Sequence, residues 1–120
     1  MKKLLFTFLF LIGFHIGFSQ TAVYMCTSTG AVGYAYGTYN VKNIAYSNCI
    51  DAGGYSPFLV TYNPSKGYGS LAVGVDIDGL RVIGVASGYD DLQDAIVAAR
   101  LTAIKNGGIN VYTQDTWSDF

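Results

Sequence analysis

The side chains of this sequence that could carry out chemistry are two cysteines and eight aspartates. Cys26 and Cys49 are nucleophiles only if a base activates them, and histidine usually does so. The one histidine, His15, lies in an apolar N-terminal run with the features of a removable export signal. Serine triads and zinc hydrolase sites also normally rest on histidine. We therefore expect no catalytic site of these three kinds in the exported protein.

Three aspartates, Asp90, Asp91 and Asp94, cluster where a helix is predicted to begin. The positive end of the helix dipole stabilises negative charge at that position. A general acid needs a raised pKa, whereas a helix N-terminus lowers the pKa of a carboxylic acid. We interpret the cluster as structural, and an Asp-dependent hydrolase is the weaker alternative.

Two further patterns resemble ligand-binding loops. Residues 76–79, Asp-Ile-Asp-Gly, resemble the start of a calcium loop, but the closing glutamate and further oxygen ligands are missing. A hairpin turn accounts for this Asp-Gly segment fully. The glycine frames at Gly33 and Gly84 match neither a Walker nor a dinucleotide pattern. We expect neither a metal nor a cofactor.

The N-terminus has the order of parts of a secretion signal. Residues 1–3 include two lysines, an apolar run covers 4–18, and Gly17 and Ser19 are small residues before Gln20. The run is shorter than the roughly 20 residues of a membrane span. We predict that 1–19 are removed by cleavage near Ser19-Gln20. The protein is then exported to the periplasm or the medium, without a stable membrane anchor.

Removal of the signal leaves a weakly acidic chain that is rich in tyrosine. Five basic side chains remain against eight aspartates, and no glutamate is present. Such a chain lacks the positive field that nucleic acid or an anionic membrane surface requires. All ten tyrosines remain, together with thirteen of the glycines. This composition is typical of strands and tight turns, and about a hundred residues form one core rather than two.

The chain contains one structural unit twice. The glycine frame at 33–37 recurs at 84–88, and apolar residues at helical spacing follow each copy. A hairpin signal precedes each frame and a short strand follows each helix, so the order is strand, strand, helix, strand in both copies. We predict an α+β fold in which 20–112 form a single domain, with a mainly antiparallel sheet and two helices packed on one face. The C-terminal tail, 113–120, could either fray or dock on a sheet edge.

Both predicted helices have boundary signals. Asn40 and Asp91 are suited to cap the first turns, and glycine pairs at 53–54 and 107–108 are suited to end the helices. The second helix carries three additional apolar residues, Val97, Leu101 and Ile104. Because its apolar stripe is wider, we expect the second helix to be the more buried of the two.

Alternation along the first glycine frame assigns its side chains to two faces. Gly33 and Ala35 are small enough for a helix to lie close to their face, so Tyr34 and Tyr36 are predicted on the opposite face. Aromatic rings with polar tips favour protein interfaces and sugar stacking. The candidate binding residues are therefore Tyr24, Tyr34, Tyr36, Tyr62, Tyr112 and Trp117. The alternative is that another layer covers this face, so that the rings form core or ordinary cross-strand pairs.

The two cysteines are also a candidate disulfide, because exported proteins commonly contain disulfides. Cys49 lies on the apolar stripe of the first predicted helix, and Cys26 ends the first predicted strand. A bridge would close a loop of about 23 residues and add about 3 kcal/mol of stability if it is unstrained. Two buried thiols are the alternative.

Four parts of the chain together resemble a known family. They are the segment 28–36, a helix that ends in Cys49, the segment 69–74, and the segment 84–88 before an alanine-rich helix. Across about 22–112 they resemble the small exported bacterial domains catalogued as domain-of-unknown-function family 4189. The resemblance implies secretion, a doubled α+β domain and no established catalytic residues. The family's cysteines after the first helix and within the second have no counterparts here, so the resemblance does not imply the family's usual disulfide.

These observations favour an exported, non-catalytic binding module that recognises a protein. Some relatives in the resembled family are thought to be inhibitor or immunity-type proteins, which implies a cell-envelope enzyme as the partner. The alternatives are a glycan-binding or envelope-structural module and the Asp-dependent hydrolase. A deep cleft with two facing carboxylates would favour the enzyme, a shallow aromatic groove would favour glycan, and a flat or convex aromatic patch would favour a protein partner.

Overall fold

Six strands and two helices follow one another in the order that the repeat predicts. The structure is a computed structural model that describes residues 20–120, so the predicted signal lies outside the described residues. The first unit contains β1 (Thr21–Met25), β2 (Val32–Tyr36), α1 (Val41–Asp51) and β3 (Phe58–Asn63). The second contains β4 (Gly67–Val75), β5 (Arg81–Tyr89), α2 (Leu92–Lys105) and β6 (Ile109–Asp119). The α+β class and the doubled unit are confirmed.

Each unit forms its own antiparallel sheet of three strands, with the first strand in the centre. The strand orders are β2-β1-β3 and β5-β4-β6. The first sheet pairs Val23 with Tyr34, and the second pairs Leu71 with Val85. The strands therefore divide into two sheets rather than one, and each sheet repeats the same topology.

The two sheets pack face to face around the largest apolar cluster. Its buried members from both sheets are Val23, Met25, Leu71, Val73, Ile83 and Trp117. Helix α1 packs on β1 and β2, and α2 packs on the strands of the second sheet. The molecule is thus built in four layers, in the order helix, sheet, sheet, helix. Neither of the helices described within 20–120 is long and apolar enough to span a membrane.

Glycine allows each helix to lie directly on its sheet, as the alternation predicts. A Cβ atom added at Gly33 would lie 2.1 Å from the backbone nitrogen of Cys49 in α1. A Cβ added at Gly84 would lie 2.0 Å from the carbonyl oxygen of Ala99 in α2. At this distance only small side chains fit between the helix and the sheet. The two units therefore share one packing arrangement as well as one topology.

Helix α2 is the more buried of the two, as expected, but not through the side chains that predicted it. Each helix buries one line of three residues, which in α2 consists of Ala95, Ala99 and Ala103, and α2 adds the half-buried Ile96 and Ala98, whereas every other residue of α1 is exposed. The wider stripe, with Val97 and Leu101, faces outward. These larger side chains face outward because α2 lies very close to β5 at Gly84. The space between helix and strand admits a line of alanines but not larger side chains on either side of that line.

The helix and tail boundaries have local explanations. Asp91 caps α2 by accepting a hydrogen bond from the backbone nitrogen of Asp94 at 3.2 Å, which gives the acidic cluster a structural role. The predicted cap at Asn40 is wrong: this residue precedes α1 in a left-handed conformation, with φ of 64°, and its side chain makes no capping hydrogen bond but accepts one from the Asn43 side chain at 2.8 Å. Of the two possibilities for the tail, the structure shows docking, because β6 continues to Asp119 along β4.

Candidate functional site

Trp117 and Tyr34 lie between the two sheets, and the exposed Tyr36 lies at the margin beside them. The indole ring is 4% exposed and stacks on the rings of Tyr34 and Tyr36, with centroid distances of 5.8 and 5.2 Å. The Tyr34 hydroxyl donates a hydrogen bond to Asp115 of β6. Burial, and then this hydrogen bond, raises the pKa of Tyr34 to about 12, so the hydroxyl remains a donor. Tyr34 and Trp117 therefore join the two units, as in the alternative in which another layer covers the tyrosine face.

Asp119 makes a second polar contact between the units. Its side chain is 3% exposed, and its carboxylate accepts a hydrogen bond from the hydroxyl of Thr21 at 3.4 Å. Burial raises the pKa of Asp119, and hydrogen bonds from the Gly37 amide and Thr21 only partly oppose this effect. The native state therefore holds the proton of Asp119 to a higher pH than the unfolded state does.

We expect Asp119→Asn to reduce the pH dependence of stability. Because the native pKa is raised, Asp119 contributes stability that is present below its unfolded pKa and is lost as pH rises through the native pKa. The free energy of unfolding of the wild-type chain should thus fall more between pH 4 and pH 7 than that of the variant. Urea unfolding at several pH values measures this difference. Asp78→Asn, at an exposed turn position, is the control, and equal slopes for Asp119→Asn and wild type would refute the prediction.

The other three candidate tyrosines lie on two separate surfaces. Tyr112 is exposed and lines a cleft near the start of β6, beside the exposed Val75 and Ile109. Tyr24 and Tyr62 share the face of the first sheet that carries α1. The ring of Tyr62 is covered by the Lys42 ammonium group, which lies 4.5 Å from the ring centroid.

A β-bulge creates this surface. In β3, Thr61 pairs with Val23 and Leu59 pairs with Tyr24, so Val60 is an extra residue. The bulge turns Val60 towards the core between the sheets, and Leu59 and Tyr62 towards the face that carries α1. Since α1 packs on β1 and β2, no helix or strand within residues 20–120 packs on this part of the face.

We call the exposed area between α1 and β3 the α1–β3 surface. It is formed by the exposed side chains of Tyr46, Leu59 and Tyr62 and the half-buried Tyr24, with Lys42 at one end. Tyr46 of α1 packs edge-on against Tyr24 at a centroid distance of 5.4 Å. Leu59 lies opposite Tyr24 on the neighbouring strand. The result is a continuous aromatic and aliphatic patch.

Strand β3 is also the least protected edge of the two sheets. On β2, the Asn48 side chain of α1 donates to the carbonyl of Tyr34 at 3.1 Å, and on β5 the Asn106 side chain donates to the carbonyl of Ile83 at 3.1 Å. Strand β6 carries two aspartates. Strand β3, with the sequence FLVTYN, has no charged side chain. Sheet edges without charge or cover are the ones that accept a further strand.

The two cysteines are neighbours but are not bonded to each other. Both thiols are free, and the expected bridge is absent. The Cys26 sulfur lies 3.3 Å from the Ser28 hydroxyl, whereas the Cys49 sulfur points to the carbonyl of Ala31 at 3.5 Å. Hydrogen bonds, first from Ser28 and then from Thr29, lower the pKa of the Cys26 thiol, and burial raises that of Cys49. The thiols are buried, so the alternative of two buried thiols describes this pair.

The carboxylate of Asp76 is held by backbone amides of its own turn. The carboxylate of Asp76 accepts hydrogen bonds from the amides of Asp78 and Leu80, both at 2.9 Å. This is the hairpin turn that the Asp-Gly segment predicts. Within residues 20–120, no three His, Cys, Asp or Glu side chains lie close enough together to hold a metal ion.

Three clefts meet at the end of the sandwich that carries the hairpin turns, and Arg81 lines all of them. The first has a volume of about 290 Å³ and is lined by the turn 27–30 of the first unit. The second, about 240 Å³, lies between the sheets beside Phe58. The third, about 210 Å³, includes Tyr112. The aliphatic stem of Arg81 packs over Gly30, so the two units meet at this side chain.

No protein family, curated protein or solved structure matches this chain in the three comparisons.

Sequence reasoning missed Tyr46, Leu59 and Arg81. Tyr46 and Leu59 lie next to residues of regular apolar patterns, and only their exposure distinguishes them from core residues. Arg81 had a detectable signal, because it is the one basic residue at a predicted hairpin and stands between Leu80 and Val82. A lone charge within an apolar strand indicates a specific environment.

Proposed function

We propose that this protein is an exported, non-catalytic binding module that recognises a protein through the α1–β3 surface. The observation that carries the proposal is an open, uncharged edge strand beside exposed tyrosines. An extended segment of a partner can add to β3 by main-chain hydrogen bonds, while its side chains contact Leu59 and Tyr62. Tyr24 and Tyr46 add rigid aromatic area at low entropic cost.

The partner class we propose is a hydrolase of the cell envelope, which the module inhibits. This assignment rests on the predicted export signal and on the resemblance to exported inhibitor and immunity-type domains. A protein partner suits the patch better than a glycan does, because the patch is a sheet face and strand edge rather than an aromatic groove. The aspartates also favour a binder over an enzyme, since Asp76 and Asp91 are both occupied by backbone amides.

The test compares two matched leucine variants. Leu59 lies on the α1–β3 surface and Leu101 on the outer face of α2, and both are exposed, at 41% and 59%. The protein beginning at Gln20, Leu59→Lys and Leu101→Lys are each immobilised and exposed to envelope extract. Captured hydrolases are identified by mass spectrometry, purified, and assayed with and without each variant.

We expect wild type and Leu101→Lys to capture and inhibit the same hydrolase, and Leu59→Lys to lose at least about tenfold in affinity, because lysine on a sheet edge opposes strand addition. Circular dichroism confirms that both variants are folded. Binding only to purified peptidoglycan, or equal behaviour of the two variants, would contradict the proposal.

A further inference from the structure

Arg81 is the one charged side chain that lines the three clefts at the turn end of the sandwich. Within residues 20–120 its guanidinium group has no ion-pair partner. Its stem is held against Gly30, where an added Cβ would lie 3.3 Å from the Cβ of Arg81. The carboxylate of Asp76, in the same hairpin, is occupied by turn amides. Arg81 is exposed, and a guanidinium fork on an anchored stem without an anion partner is suited to bind a carboxylate.

The cleft beside the turn 27–30 supplies a further donor. Its lining includes the hydroxyl groups of Thr27, Ser28 and Thr29. Ser28 contacts the hydroxyl of Tyr55 at 2.8 Å and the sulfur of Cys26 at 3.3 Å, and Thr29 also hydrogen-bonds to Cys26, so both are occupied. Thr27 lines both this cleft and the neighbouring one beside Phe58, together with Arg81. The Thr27 hydroxyl and one positive charge, with no acidic side chain in the lining, favour an anionic group.

The neighbouring cleft is apolar and leads to the proposed binding edge. Its lining includes Met25, Phe58, Val60, Val82 and Ile83. Phe58 is the first residue of β3, so the cleft lies where the open edge strand begins. Each cleft has less than the volume of about 300–1,000 Å³ that is usual for small-molecule pockets. Separate clefts of this size suit the successive side chains of a peptide.

We propose that the Arg81 clefts bind an acidic peptide segment of the partner, with a carboxylate on Arg81 and Thr27 and the adjacent apolar side chain in the cleft beside Phe58. This inference rests on the proposed function and adds the chemistry of the recognised segment. A partner strand that pairs with β3 ends beside Arg81, so edge pairing and charge recognition act on one continuous segment.

The experiment is an NMR titration of the ¹⁵N-labelled chain beginning at Gln20. The probes are a blocked hexapeptide with a central Asp-Phe pair and a second peptide in which Asn replaces that Asp. The variants are Arg81→Gln, Arg81→Lys and, as the matched control, Arg100→Gln at an exposed position of α2. The spectrum of each free variant shows whether it is folded before peptide is added.

We expect the Asp peptide to shift the amide resonances of 27–30 and Arg81 and to bind about tenfold more tightly than the Asn peptide. Arg81→Gln should remove this preference, Arg81→Lys should retain part of it, and Arg100→Gln should leave it unchanged. Equal binding of the two peptides, or a preference that survives Arg81→Gln, would overturn the inference. Tighter binding of a uronic acid disaccharide than of the peptide would also overturn it. If these results occur while capture by the α1–β3 surface still depends on Leu59, only the carboxylate assignment fails.

Discussion

Gly84→Ala is expected to cost at least about 3 kcal/mol in the free energy of unfolding, because overpacking against a backbone cannot be relieved by a side-chain rotation. The added Cβ would lie 2.0 Å from the carbonyl oxygen of Ala99 and 2.4 Å from the nitrogen of Ala103. Helix α2 would have to move away from β5 as a whole. A domain of this size has a total stability of about 5–15 kcal/mol, so this loss is a large fraction of it. Urea unfolding followed by circular dichroism measures the loss.

The repeat supplies a second test of the same contact. Gly33→Ala should have a similar cost, since its Cβ would lie 2.1 Å from the nitrogen of Cys49 and 2.3 Å from the carbonyl oxygen of Ala45. Gly53→Ala is the control, because an added methyl group there meets no atom within 4 Å. Its cost should be only the about 1–2 kcal/mol of a positive φ angle. If Gly84→Ala is no more costly than Gly53→Ala, the helices do not lie directly on these glycines.

Trp117→Ala is expected to cost about 3–5 kcal/mol, as is usual for the truncation of a buried aromatic side chain. The indole is almost fully buried, stacks on Tyr34 and Tyr36, and lies directly over Gly69 of β4. Its loss would leave a cavity between the two sheets and remove the main aromatic contact between the units. Thermal and urea unfolding measure the effect.

Tyr112→Ala is the matched control for this prediction, since Tyr112 lies on the same strand but is 54% exposed. We expect its cost to stay below about 1 kcal/mol. Trp117→Phe should retain part of the stability, because a smaller ring still fills much of the cavity. A cost for Trp117→Ala similar to that for Tyr112→Ala would show that the two units do not pack through Trp117.

Local signals predict each unit well because they depend on neighbouring residues. The cap at Asp91 and the glycines at 33 and 84 are visible in the sequence, and each determines a local feature that the structure contains. The packing of the two units on each other, in contrast, does not depend on neighbouring residues in the sequence. Tyr34 alternates with Gly33 in the same way whether water, a partner or a second sheet covers its face. Only the contact with Trp117, 83 residues further along the chain, decides between these cases.

The candidate site is less predictable than the fold. Regular alternation would place Phe58, Val60 and Tyr62 on one face of β3, and the bulge at Val60 moves Tyr62 to the other. A one-residue irregularity of this kind has no signal in composition or periodicity. The Arg81 clefts likewise arise only when the turns of both units meet. The two cysteines show the same limit, since their number and the predicted export signal favour a bridge while their side chains point to different partners.

We propose that a protein partner binds at the open edge of β3. Amide hydrogen exchange of the chain beginning at Gln20, measured alone and with the captured hydrolase, tests this binding site. We expect the partner to slow exchange in 58–63 and to leave α2 unchanged, because strand addition places main-chain hydrogen bonds on the β3 edge. Unchanged exchange in β3, together with protection on the outer face of α2, would contradict binding at this edge.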